Sequence, residues 1–173
     1  ANHTSDQHPW FVESRSSRDN PKADWYIWHD GKNGKRPNNW FAGFELRSAW
    51  WWDETRQQYY LGTFTRHQPE VNWRHPELQQ AMYDVVRFWF DLGVDGFRMD
   101  VVNWFVKDDQ WRSNPWKLSF NPPDVQDHIY DRNRPETHDI CRAFRAVADE
   151  YGDRMLVGEI FCRYSYIFGS RSS

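Results

Sequence analysis

Two short apolar segments of this chain each finish on a carboxylate. Val94-Asp95-Gly96-Phe97-Arg98-Met99-Asp100-Val101-Val102 carries Asp100, and Met155-Leu156-Val157-Gly158-Glu159 ends on Glu159. Neighbouring parallel strands lie about 4.7–4.9 Å apart, and sequential strands are usually neighbours. Two acids at matching strand tips would therefore stand roughly 5 Å apart, which suits a retaining glycosidase; an inverting one needs about 6.5–9.5 Å. Side chains repeat every second residue along a strand, so Arg98 shares the face of Asp100. A guanidinium beside a carboxylate favours the ionised form that a nucleophile requires. Glu159 is close in sequence to Leu156, Val157 and Ile160, and a dry environment there would favour the protonated form that an acid requires. A structural Arg98–Asp100 ion pair with Glu159 capping a helix fits the same spacing. The residues alone leave both readings open.

The acids can meet only if the elements before them repeat. After His75, Pro76 fits a first helical position, and Leu78, Ala81, Met82, Val85, Trp89 and Leu92 follow a helical stripe. Gly93 sits where a left-handed cap belongs, and the Asp100 strand follows. Residues 136–151 repeat the order: Ile140, Phe144, Val147, Ala148 and Tyr151 form a stripe, Gly152 follows, and then the Glu159 strand. Helices alternating with short apolar strands predict an α/β chain of parallel βα units. In a closed βα barrel the C-terminal strand ends carry catalysis. Residues 103–135, with Trp104, Trp111, Trp116, Pro115, Pro122, Pro123 and Pro135, read as a long loop after the first strand.

Upstream, residues 4–70 are rich in Ser, Asn, Asp, Pro and Trp and show no sustained helical period. Pro21, Pro37, Gly31, Gly34 and Gly43 punctuate loops and short strands, and Tyr59–Thr65 is the best strand candidate. A loop section of this length is usually functional.

At 173 residues the chain predicts one modest unit. Its 22 Lys+Arg against 25 Asp+Glu give a net charge of −3, which excludes the basic stripe of a nucleic-acid binder. A mean hydropathy of −0.98 and no apolar run near 18 residues exclude a membrane-spanning helix. Trp, Tyr and Phe make up 18% of the chain. Flat rings with a polar edge suit the C–H faces of sugars, whereas the plainer reading is aromatic clusters stapling loops. Cys141 and Cys162 fit neither a disulfide framework nor a metal spacing, so the cytoplasm is the expected compartment. No signal pattern opens the chain. Ala1-Asn2-His3 lacks an initiator Met, so the start reads as a cut.

Several of these segments resemble one family. Gly96-Phe97-Arg98-Met99-Asp100-Val101 is similar to the second conserved region of the α-amylase family (glycoside hydrolase family 13), Gly158-Glu159-Ile160 to its third, and Asn2-His3 to the end of its first. Gln68-Pro69-Glu70-Val71-Asn72-Trp73 resembles the fifth region in the oligo-1,6-glucosidase and α-glucosidase branch. Thr4–Phe11 and Asp24–Trp28 resemble that branch too. The likeness runs in the expected order from residue 2 to about 161.

The resemblance implies a partial (β/α)8 TIM barrel with a loop-rich inserted B domain. Residues 1–5 would end barrel strand three, and 6–70 would form the B domain. Residues 71–161 would supply helix three, strand four, a long loop, helix four and strand five, leaving 162–173 as an atypical tail. It implies Asp100 as nucleophile and Glu159 as acid/base. Arg98 and His3 would hold the first sugar, with Gln68 and Phe64 lining the same subsite. The implied function is a retaining α-glucosidase acting on non-reducing ends of short oligosaccharides, with Val101 leaning toward α-1,6 linkages. No cofactor is implied on this chain; a structural calcium near strand one would lie outside it. The expected partner is a small oligosaccharide, with no nucleic acid and no membrane, and the oligomeric state is open. The His-Asp pair of the family's fourth region would follow Glu159 and the aspartate of its first would precede Asn2, and neither stands there, so the chain reads as an internal fragment with little activity alone. A transglucosidase such as trehalose synthase shares the same regions. A non-catalytic sugar-binding protein on the same scaffold is a third reading, against which the joint presence of Asp100, Glu159 and Arg98 argues.

Overall fold

Helix α2 (Pro76–Asp91) opens with proline at a position where the missing N–H is unneeded, and Gly93, at φ 92, follows its end. In the computed structural model, which describes residues 1–45, 47–120 and 125–160, strand β6 (Gly96–Met99) comes next. Helix α3 (Thr137–Asp149), Gly152 at φ 77 and strand β7 (Met155–Gly158) repeat the order. Strands β6 and β7 pair in parallel, from Gly96 opposite Met155 to Met99 opposite Gly158. A Cβ at position 96 would lie 2.3 Å from the Met155 carbonyl oxygen, so glycine is what lets the strands close.

The first strand is shorter than its apolar run suggests. Pairing stops at Met99, Asp100 lies in a turn, and Val101 is left-handed at φ 41, ψ 51. A 3-10 turn over Val102–Trp104 follows. The ladder still reaches past the strands, because the Glu159 N–H donates to the Met99 carbonyl at 2.8 Å and the Val102 N–H to the Glu159 carbonyl at 3.1 Å.

The stripe predicted for α2 is only half correct. Leu78 and Met82 are buried, but Val85, Trp89 and Leu92 are exposed. The helix instead turns Met82, Val86 and Phe90 inward, where Phe90 meets Phe97 at 5.1 Å and Tyr151 at 5.2 Å between ring centroids. Two apolar stripes run along α2, and periodicity does not say which one finds α3 and β6. Arg87 clamps the two helices together with a bidentate pair to Glu150 at 2.6 and 2.8 Å.

Upstream, the expectation of loops and strands misses helix α1 (Pro9–Ser16). Its N-terminus is capped by the His8 side chain, which accepts the Trp10 N–H at 3.2 Å. Buried Arg56 donates to the Ser14 carbonyl in the last turn of the helix and to those of Ser17 and Ala23 beyond it, and stacks over Trp28 at 4.6 Å. A cation at a helix C-terminus complements its dipole. Only Phe11 and Ser14 of the helix are buried, so the sequence carries no apolar stripe to mark it.

Strands β1 (Trp28–His29), β4 (Trp50–Asp53) and β5 (Gln58–Leu61) make an antiparallel sheet in the order β1-β5-β4, and β2 (Phe41–Ala42) pairs with β3 (Arg47–Ser48). The strand expected over Tyr59–Thr65 is therefore shifted, because the chain leaves the sheet at Gly62. Residues 1–5 form no regular strand among the described residues. His3 makes a single antiparallel bridge to Glu70, flanked by bonds from Thr4 to Pro69 and from Val71 to Asn2.

Five of the twelve tryptophans are built into the interior. Trp25, Trp40, Trp50, Trp73 and Trp104 are buried. The indole N–H groups of Trp40, Trp50 and Trp73 donate to Arg112 O, Asn38 Oδ1 and Ala1 O at 2.8–3.0 Å. One core joins Phe11, Tyr26 and Tyr60 to Trp73, Leu78, Phe105 and Phe144, so the loop-rich half and the βα half share an interior. Each ring buries roughly 150–250 Å². Cys141 is half-buried on α3; Cys162 and the expected tail at 162–173 lie outside the described residues. No helix among the described residues is long and apolar enough to cross a membrane.

Candidate active site

The two backbone bonds past the strand tips bring three charged side chains to one point. Arg98 Nη1 donates to Asp100 Oδ1 at 2.7 Å, and its Nη2 pairs with Glu159 Oε1 at 2.6 Å. Asp100 and Glu159 are themselves in hydrogen-bond contact. Burial pushes the Asp100 pKa up, but the bond with Glu159 and the Arg98 guanidinium outweigh it and hold the carboxyl below its ordinary value. Side-chain exposures are 60% for Arg98, 40% for Asp100 and 26% for Glu159. The dry surroundings expected of Glu159 are thus not what it has, since a guanidinium and solvent reach it and Val157, two residues back on its strand, is exposed.

A second group closes on Asp100 from the loop-rich half. The Gln68 amide donates to His3 Nε2 at 3.0 Å, which leaves the ring proton on Nδ1, buried and without a partner among the described residues. The His3 ring lies 5.2 Å from Phe64, which stacks on Trp104 at 4.8 Å. Burial lowers the His3 pKa; Glu70 and Asp100 oppose this, while the N-terminal amine and Lys107 add to it. All the residues singled out from the sequence, Asp100, Glu159, Arg98, His3, Gln68 and Phe64, therefore fall in one connected group.

Sequence reasoning missed what supports that group. Lys107 pairs with Glu70 at 2.7 Å, both side chains almost fully buried, and donates to the Trp104 carbonyl at 2.5 Å. Glu70 Oε1 accepts the Thr63 N–H at 3.1 Å, so this pair ties the loop bearing Phe64 and Gln68 to the turn after Asp100. Arg132 covers the other face of Trp104 at 3.7 Å. Nearby Asp131 is fully buried; burial pushes its pKa up, yet Arg132 and His128 hold it well below the carboxylate range. Val101 carries a strained backbone, which for a β-branched residue costs on the order of 1–3 kcal/mol. Its packing against Phe64 and Trp104 holds it there. Glu70 could have been noticed inside the Gln68–Trp73 segment; Lys107, Arg132 and the Val101 backbone left no local signal.

The carboxylates open to the surface. A cavity of about 180 Å³ lined by Tyr26, Trp28, Trp73, Lys107 and Asp108 among others includes neither acid in its lining. Among the described residues no group of three or more His, Cys, Asp and Glu side chains is placed to hold a metal ion.

Residues 1–168 match the family model for the alpha amylase catalytic domain. The chain is 50% identical over 169 residues to a probable alpha-glucosidase of Rhizobium meliloti, which covers 91% of this chain and 30% of the relative. It is 43% identical over 159 residues to an oligo-1,6-glucosidase of Halalkalibacterium halodurans, covering 92% and 28%. Among solved structures, an alpha-glucosyl transfer enzyme superposes with a TM-score of 0.88 at 43% identity, over 92% of this chain and 32% of that one. The chain thus spans less than a third of the length of these relatives.

Proposed function

The chain belongs to the alpha-amylase family, and from that premise we propose that it carries the nucleophile and the acid/base of an α-glucosidase working with retention. The observation that carries this reading is the Arg98 fork holding Asp100 and Glu159 together. Retaining chemistry uses carboxyls about 5–5.5 Å apart, and inverting chemistry must leave room for a water between them. Asp100, kept ionised by Arg98, attacks the anomeric carbon and forms a glucosyl ester. Glu159 gives a proton to the departing oxygen and then takes one from the water that releases the sugar. His3 and Gln68 face the hydroxyls of the bound glucose, with Phe64 packed against its ring.

The β6–β7 pair with α2 and α3 is read as two neighbouring units of a (β/α)8 barrel, and residues 6–70 as a loop-rich domain inserted before them. The twice-repeated order of helix, glycine and strand supports this. The substrate class, short oligosaccharides with a non-reducing α-glucose, is carried over from the glucosidases that the chain resembles. The longer protein containing this span is expected to cleave p-nitrophenyl α-glucoside. Asp100→Asn and Glu159→Gln should each lower kcat by roughly 10²–10⁴-fold, and a 5-fluoroglucosyl fluoride label should map to Asp100. A label on another residue, or turnover untouched by Asp100→Asn, would overturn the assignment. The 173-residue chain by itself is expected to show negligible turnover.

Similarity to an alpha-glucosyl transfer enzyme favours one second reading, in which a sugar hydroxyl rather than water takes the glucosyl group. Free glucose against longer oligosaccharide, measured with maltose as both donor and acceptor, separates the two.

A further inference from the structure

The hairpin at residues 32–35 folds back beside the three-stranded sheet. Asn33 (φ 52) and Gly34 (φ 71) make its two-residue turn, closed by backbone bonds of 2.8 and 3.0 Å between Lys32 and Lys35. This is the tight turn that Asn-Gly favours. Gly31 (φ 88) permits the approach, since a Cβ there would stand 2.4 Å from the Lys35 carbonyl oxygen and 3.1 Å from the Tyr59 ring. Lys35 and Arg36 are thereby held next to Trp52 and Tyr59, whose rings meet edge to face across the β4–β5 pair at 5.0 Å. With Trp50 and Trp51 these four line an open hollow of about 470 Å³, within the range of small-molecule sites.

The chemistry of the hollow is one-sided. Lys35 and Arg36 are exposed and make no ion pair among the described residues, and no carboxylate lines the hollow. The Trp52 indole N–H and the Tyr59 hydroxyl likewise have no hydrogen-bond partner among the described residues. Three of these four groups can only donate, and two are charged. Trp52, 42% exposed, offers a flat face beside them. On a chain of net charge −3, two cations without a counter-charge mark a local preference for an anion.

We propose that this hollow is an accessory binding site for an anionic sugar, a pyranose bearing a phosphate. The ring lies on Trp52 and Tyr59, and the phosphate oxygens accept charge-assisted hydrogen bonds from Lys35 and Arg36. None of its lining residues belongs to the Asp100–Glu159 group, so the site stands whether or not the glucosidase reading does.

Titration of the 173-residue chain with glucose 6-phosphate, glucose and inorganic phosphate, followed by tryptophan fluorescence and calorimetry, tests it. Saturable binding of glucose 6-phosphate is expected, with glucose and phosphate each weaker by about tenfold or more. Trp52→Ala should weaken binding by a similar factor, as should the double variant Lys35→Ala/Arg36→Ala. The double variant changes only exposed side chains, so it decides the matter if Trp52→Ala unfolds. Absence of saturable binding, equal affinity for glucose, or affinity undiminished in the double variant would each overturn the proposal.

Discussion

Glu70 and Lys107 meet at 2.7 Å with side-chain exposures of 1% and 2%. They come from opposite halves of the chain; the Thr63 N–H also donates to Glu70, and Lys107 to the Trp104 carbonyl. Removing one partner of such a pair leaves a buried charge uncompensated, which costs about 3–5 kcal/mol. Lys107→Met should destabilise the chain by that amount in urea. The double variant Lys107→Met/Glu70→Gln should recover a large part of the loss, and a single variant within 1 kcal/mol of the parent would contradict the bracing role.

Arg98→Lys tests the fork. A single ammonium cannot serve two carboxylates in the planar geometry of a guanidinium. The pKa of Asp100, followed by carboxyl-carbon NMR, should rise toward its ordinary value of 3.8 in the variant. An unchanged titration midpoint would mean that Arg98 does not set the charge of Asp100.

Burial lowers the pKa of His3, and also those of His8 and His29. A histidine with a depressed folded pKa binds protons more readily when unfolded, so its contribution to stability is complete above 6.5, the ordinary value. It is then lost as pH falls through 6.5 and on through the lowered folded pKa. The melting temperature should therefore drop between pH 7.5 and 5, and His3→Gln should flatten that slope. A slope identical in the variant would remove His3 from the account.

Gly96→Ala places a methyl group 2.3 Å from the Met155 carbonyl oxygen. Strands β6 and β7 cannot keep their register around it, so the loss should exceed the ~1–3 kcal/mol of ordinary overpacking. A variant as stable as the parent in chemical denaturation would show that the pairing is looser than it looks.

Val85, Phe88, Trp89 and Leu92 line one exposed face of α2. Contiguous apolar surface of this kind promotes association, so the isolated chain is expected to self-associate at micromolar concentration. Val85→Glu/Trp89→Lys should raise its solubility limit several-fold, which light scattering would register. A monodisperse parent chain would count against the expectation.

The local alphabet carried the βα half well. Leu78 and Met82, Ile140 and Phe144, Gly93 and Gly152 each act within a few residues of their own position, and helix, cap and strand followed from them. Helix α1 left no comparable trace, because what holds it, Arg56 on its terminal carbonyls, comes from 42 residues along the chain. The turn at Val101 was equally hidden, since its strain is held by packing from Phe64 and Trp104 rather than by a residue that favours the left-handed region.

The amino-acid order alone determined which charged side chains stand near one another at the ends of two strands. Arg98 lies within β6, while Asp100 and Glu159 each stand just past the end of a strand; the alternation expected from the sequence puts Arg98 and Asp100 on one face, although Asp100 itself lies in a turn. Tertiary structure decided how they are held. The fork distances, the His3–Gln68 bond and the buried Glu70–Lys107 pair depend on segments from both halves sharing one interior. Periodicity reports on neighbours three or four positions away; contacts across 30 to 65 residues are set by which faces exclude water together.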